Sequence, residues 1–115
     1  MPDPAVIANL FQYVGTDKQF QLTVYQADGV TLQDITGWTL SFIIHAYGDP
    51  NIVYVTKTVG SGIVLTTPTH GVLTATIGAA DVTSVLPGLY QWRAERTNSA
   101  NDIVVGTGTY SLLGK

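Results

Sequence analysis

The chain has 115 residues and a mass of 12.3 kDa, enough for one domain and too little for two. It contains no cysteine, which excludes disulfide frameworks, thiolate metal sites and cysteine nucleophiles. Charged residues make up only 11 %, with 45 % hydrophobic residues and a net charge of −3. That composition excludes disorder, and five scattered Lys and Arg give nucleic acid no basic stripe to bind.

The first fifteen residues admit more than one reading. Asp3 as a cap with Pro4 behind it could start a helix ending near Gly15. The preferred reading is an N-terminal arm or edge strand over residues 1–14, with a β-sandwich domain over 15–115. Phe20, Leu22 and Val24 then alternate with Gln21, Thr23 and Tyr25, the period of a half-buried strand, before an Asp28-Gly29 turn. Asp34-Ile35-Thr36-Gly37 breaks the chain again. Leu40, Phe42 and Ile44 form one face of the next strand, and Gly48 to Asn51 is a loop. Ile52 to Val59 is rich in β-branched residues, and Gly60-Ser61-Gly62 turns into Ile63-Val64-Leu65. After the Pro68-Thr69-His70-Gly71 turn, Leu73, Ala75 and Ile77 share a face. Ala79 to Leu86 reads as one short helix, stopped by Pro87-Gly88. Tyr90, Trp92 and Ala94 line one face of the following strand, Asn98 to Asp102 is a hairpin loop, and Ile103 to Leu113 is the last strand.

Seven to eight short strands at such spacing predict an all-β, antiparallel sandwich or barrel with one short helix near 79–86. The expected core is Phe20, Leu22, Val24, Leu40, Phe42, Ile44, Leu65, Leu73, Ile77, Leu86, Tyr90 and Trp92.

No pattern in the chain carries catalysis. His45 falls in a strand and His70 in a turn, without the close ligand spacing of a metal site. The acids Asp3, Asp17, Asp28, Asp34, Asp49, Asp81, Asp102 and Glu95 lie mostly beside turn residues, where a carboxylate caps backbone N–H groups. G-x-S-x-G is missing, and no helix follows Gly106-Thr107-Gly108 to make it a phosphate loop. The reading is therefore a non-enzyme without cofactor or metal. A sugar platform remains as the alternative if Trp38 and Trp92 are exposed together. The apolar runs are too short to span a bilayer, and Met1-Pro2-Asp3-Pro4 does not open a signal peptide, so export through Sec is not expected.

The order of motifs carries a resemblance. Gly15-Thr16-Asp17, the Phe20 to Val24 alternation, Asp28-Gly29, Asp34 to Gly37, Gly62 to Leu65, Gly71 to Ile77, Ala79 to Val82, Leu86 to Trp92 and Gly108 to Tyr110 follow one another in a set sequence. This resembles the immunoglobulin-like β-sandwich of tailed-phage virion proteins, best known as the N-terminal domain of upper baseplate proteins, over about residues 15–113. The resemblance implies a virion structural or adaptor subunit of tail, baseplate or neck. Its partners would be other virion proteins and copies of itself, and its place the particle, after synthesis in the host cytoplasm. A carbohydrate-binding or capsid-decorating module on the phage surface is the alternative.

Composition agrees with a subunit packed among neighbours, since a mean hydropathy of +0.24 with few charges suits a lone soluble domain poorly. The expected contact residues are Val6, Ile7, Leu10, Phe11 and Tyr13 on the arm, and Val53, Tyr54 and Val55 on a strand guarded only by Lys57. On this reading, deleting residues 1–14 leaves the sandwich folded and weakens assembly.

Overall fold

The computed structural model describes residues 6–26, 28, 30–97 and 103–114. Asp3, Pro4, Gly29 and the 98–102 loop lie outside the described residues, as do the side chains of Val6 and Ile7. The period-two runs become strands: β1 (Val6–Ile7), β2 (Leu10–Tyr13), β3 (Lys18–Thr23), β4 (Leu40–Ala46), β5 (Asp49–Val59), β6 (Gly62–Thr67), β7 (Val72–Ile77), β8 (Gly88–Arg96) and β9 (Ile103–Leu113). Short 3₁₀ turns cover Pro68–His70 and Ala79–Val82, and no helix among the described residues reaches seven residues. The chain is all-β.

The strands form one hydrogen-bonded path, β1-β9-β8-β4-β5-β6-β7-β3, with β2 also beside β9. This sheet curls until it is nearly a barrel. Its two ends approach where Gln12 Nε2 on β2 donates to the carbonyl of Ile77 on β7 at 2.9 Å. Lys18 of β3 lies 5.3 Å from the ring centre of Phe11 on β2, over the same seam. β5 turns into β6 at Gly60-Ser61, where Thr58 N–H donates to Ser61 O and Ser61 N–H to Thr58 O. Gly60 meets that corner with φ of +87°, a conformation costly for any residue with a Cβ.

Inward-facing positions of the alternating runs fill the interior. Trp92 stacks on Phe42 at 5.4 Å between ring centres, Phe42 on Phe20 at 6.3 Å, and Phe20 meets Tyr110 edge-on at 6.2 Å. Leu22, Val24, Leu40, Ile44, Leu73 and Ile77 are buried around this stack, as expected. Ile35, read from sequence only as part of a turn, is fully buried, since Asp34 caps Thr36 and Ile35 N–H donates to Pro68 O at 2.8 Å.

Four expectations are corrected. The pairing is not wholly antiparallel: β1 and β2 run parallel to β9, and β5 steps onto β6 through a short parallel contact. The helix expected over 79–86 is a single 3₁₀ turn over Ala79–Val82. Leu86, expected in the core, follows that turn outward and is 78 % exposed; Leu65 and Tyr90 are only partly buried. Val55, expected at a surface, is buried because it pairs with inward-facing Ile44. A bulge between Ile44 and His45 then shifts the register, leaving Val53 and Tyr54 outside.

The 3₁₀ turn is held by Asp81. One carboxylate oxygen accepts Gly78 N–H at 2.7 Å, and the other accepts Lys57 Nζ at 2.7 Å, tying the turn to β5. Burial pushes the Asp81 carboxyl up, but the Lys57 hydrogen bond, the Gly78 N–H and the Lys57 charge together hold it below its ordinary 3.8. A depressed folded-state pKa stabilises the fold at pH above about 4, and that stabilisation disappears as pH falls through the lower folded value. Asp81→Asn is expected to lose about 1–2 kcal/mol at neutral pH and to flatten the acid limb of the stability profile, read by denaturant melts between neutral and acid pH. An unchanged acid limb would place the pH dependence elsewhere.

The described part of the N-terminal segment takes the edge-strand form. Ala8 N–H donates to Thr107 O at 3.2 Å and Val14 N–H to Leu113 O at 2.9 Å. Trp92 Nε1 donates to Ala8 O at 2.9 Å. Gly108 permits that approach, since a Cβ there would stand 1.8 Å from Ala8 O. Gln12 is 2 % exposed; it accepts Tyr110 OH at 2.7 Å and donates to Thr16 O at 2.7 Å as well as to Ile77 O. Burial first, then the Asp81 charge, push the Tyr110 hydroxyl up to about 12, so it remains the donor in this contact. Gln12 is a buried polar residue with both ends of its amide satisfied.

Candidate interaction surface

Strand register brings exposed apolar side chains together at one end of the sheet. Phe11 on β2 aligns with Ser111 on β9, which aligns with Leu89 on β8; Tyr13 aligns with Leu113. Residues paired in register share a face, so Phe11, Tyr13, Leu89 and Leu113 stand on one outer surface. They are exposed by 53, 48, 51 and 36 %. Leu86 and Pro87 continue this surface around the end of the barrel, where Gly114 comes close to Pro87.

Leu86 and Pro87 line an open groove of about 650 Å³ together with Val14, Gly15, Ala79, Val82 and Val85. Ala79 N–H is held there by Asp17 at 2.7 Å. Tyr90 braces the other side: its hydroxyl donates to Leu86 O, and its ring meets Tyr54 edge-on at 5.1 Å. Burial, and then neighbouring Tyr54, raise the Tyr90 hydroxyl above its ordinary pKa of 10.0.

The residues expected from sequence divide as follows. Phe11 and Tyr13 belong to this surface, and Tyr54 adjoins it through Tyr90. Val53 is exposed on β5, paired with His45. Leu10 packs partly buried against the core, and Val55 lies inside it. Leu86, Leu89 and Leu113 were missed. Leu89 and Leu113 fall on the solvent face of their strands and gather only through cross-strand pairing, and only the Pro87-Gly88 break hinted that Leu86 turns away.

Among the described residues, neither aromatic nor ligand-bearing side chains gather into a second cluster. Trp92 is fully buried and Trp38 lies under the Arg96 guanidinium at 4.2 Å, so the two offer no shared stacking platform. His45 is buried with Nδ1 2.9 Å from Ala46 O, and His70 sits exposed in its turn. Among the described residues no three His, Asp or Glu side chains gather as metal ligands. The carboxylates cap turns: the Thr31 hydroxyl and the Thr31 and Val30 amides lower the pKa of Asp28, and the Thr36 hydroxyl and amide lower that of Asp34. No helix among the described residues is long and apolar enough to cross a membrane.

No protein-family model matches the chain, and no curated protein matches it either.

Proposed function

We propose that this chain is a non-catalytic structural or adaptor subunit of a tailed-phage virion, in the tail, baseplate or neck, built on an immunoglobulin-like sandwich. The sandwich reading is supported by the strand neighbours. Immunoglobulin domains set B, E and D side by side in one sheet and G, F, C and C′ in the other. Lettered in chain order, β3-β7-β6 and β9-β8-β4-β5 have those neighbours, and the Gly60-Ser61 corner is where the chain passes between layers.

The observation that carries the functional reading is the apolar end formed by Phe11, Tyr13, Leu86, Leu89 and Leu113 on a stiff strand frame. Apolar side chains gathered in this way mark an interaction surface, and the resemblance in motif order supplies the setting. The subunit acts mechanically: hydrogen-bonded ladders resist deformation while the apolar end holds neighbouring virion proteins. The capsid-decorating sugar module loses support from the burial of Trp92.

The test is the composition of purified particles. Peptides of this chain are expected in stoichiometric amount in intact virions, with antibody labelling confined to one tail, baseplate or neck position. Particles that lack the chain, from cells that make it, would overturn the reading.

A further inference from the structure

We propose that the apolar end is a two-fold interface between two copies of this chain, with Leu86 of each copy seated in the groove of the other. This deepens the assembly reading by naming one partner of the same surface. Three observations carry it.

The first is area. Phe11, Tyr13, Leu86, Leu89 and Leu113 are each between 36 and 78 % exposed. With full areas near 200 Å² each, they leave roughly 500 Å² of surface in one patch, the upper range for a monomer. Pro87 and the groove walls extend it toward the roughly 800 Å² that each partner contributes to a stable interface.

The second is shape. A two-fold interface must be self-complementary, so one surface has to carry both the projection and its socket. Leu86, at 78 % exposed, stands at the lip of the groove of about 650 Å³, which it lines together with Val82, Val85 and Pro87. A partner of another kind would need only one of these.

The third is charge. Asp17 and Lys18 are neighbours on the rim, one of each sign. With the two-fold axis passing beside this rim, Asp17 of one copy faces Lys18 of the other, which spares a chain of net charge −3 from repelling itself there.

The test is sedimentation of the full chain over a dilution series, with Leu86→Lys, Leu89→Lys and a control, Val64→Lys. Val64 is 64 % exposed on β6, so the control adds the same charge outside the patch. The wild-type chain is expected to dimerise, and each patch variant to raise the dimer Kd about 30- to 100-fold with an unchanged melting temperature. Val64→Lys is expected to leave Kd unchanged. A wild-type chain that stays monomeric at about 1 mM, or patch variants that dimerise like the control, would overturn the inference. Virion incorporation of the same variants separates the two readings. Incorporation lost from a monomeric chain assigns the patch to another virion protein and overturns the dimer alone. A dimer broken by Leu86→Lys, in a chain absent from particles, overturns the virion reading alone.

Discussion

Replacing Trp92 by alanine is expected to cost about 3–5 kcal/mol and to lower the melting temperature by roughly 15–20 °C. The ring is fully buried and stacked on Phe42, the next member of the aromatic column through Phe20 to Tyr110. Its removal leaves a cavity that rigid strands on both sides cannot close. It also leaves the Ala8 carbonyl without its 2.9 Å donor. Domains of this size hold only about 5–15 kcal/mol in all, so the variant stands near the limit of folding. Trp92→Phe keeps the stack and loses the N–H, so a smaller loss, about 1–2 kcal/mol, separates packing from hydrogen bonding. Thermal melts followed by near-ultraviolet circular dichroism read both. An unchanged melting temperature in Trp92→Ala would put the ring on the surface and restore the sugar platform.

Deleting residues 1–14 is expected to abolish cooperative folding, the reverse of what an independent arm would give. The deletion removes Gln12 and Leu10 from the interior. Trp92 Nε1, Tyr110 OH and the Ile77 carbonyl each lose a hydrogen-bond partner. Each buried group left unpaired costs about 1–3 kcal/mol. These three, together with the lost packing of Leu10 and the lost β9 ladder, consume most of the roughly 5–15 kcal/mol that holds the domain. A gentler version is Gly108→Ala. Its Cβ would stand 1.8 Å from Ala8 O and 2.9 Å from Trp92 Nε1, so the strand must lift from β9 and the Trp92–Ala8 hydrogen bond must break, while Gln12 and Leu10 stay in the chain. Amide exchange in residues 8–14 should then rise well before exchange in β7 and β8. A truncated chain with a sharp, cooperative melt would show that the segment is an accessory after all.

The fold was legible wherever one sheet face is buried and the other is wet. Phe20, Leu22, Phe42, Ile44, Leu73, Ile77 and Trp92 were identified by alternation alone, and all are buried. Alternation failed where register, not period, decides the face. Val55 and Val53 have the same parity, and the bulge opposite His45 sends one in and the other out. Ile35 hid inside turn chemistry that also happens to carry a core residue. The interaction surface was half legible. Phe11 and Tyr13 stood out as apolar residues without a place, but Leu89 and Leu113 join them only through pairing across three strands. Gln12 gave no signal at all, because a glutamine between Phe11 and Tyr13 reads as the wet side of a strand. Its burial follows from the curl of the sheet, which brings the Ile77 carbonyl to it from 65 positions away.

The parallel strand pair of β1 and β2 with β9 also sets the order of events in the cell. Gln12 and Tyr110 are separated by 98 positions, so every residue between them must leave the ribosome before the pair can form. Until then the emerging β1 and β2 segment has no ladder to join, and Trp92 lies at an open edge of β8. Contacts of such long sequence separation are formed late and slowly. Each nascent copy therefore passes through an interval in which its apolar N-terminal residues and its central tryptophan are accessible together, the window in which chaperones or a neighbouring nascent copy can capture them.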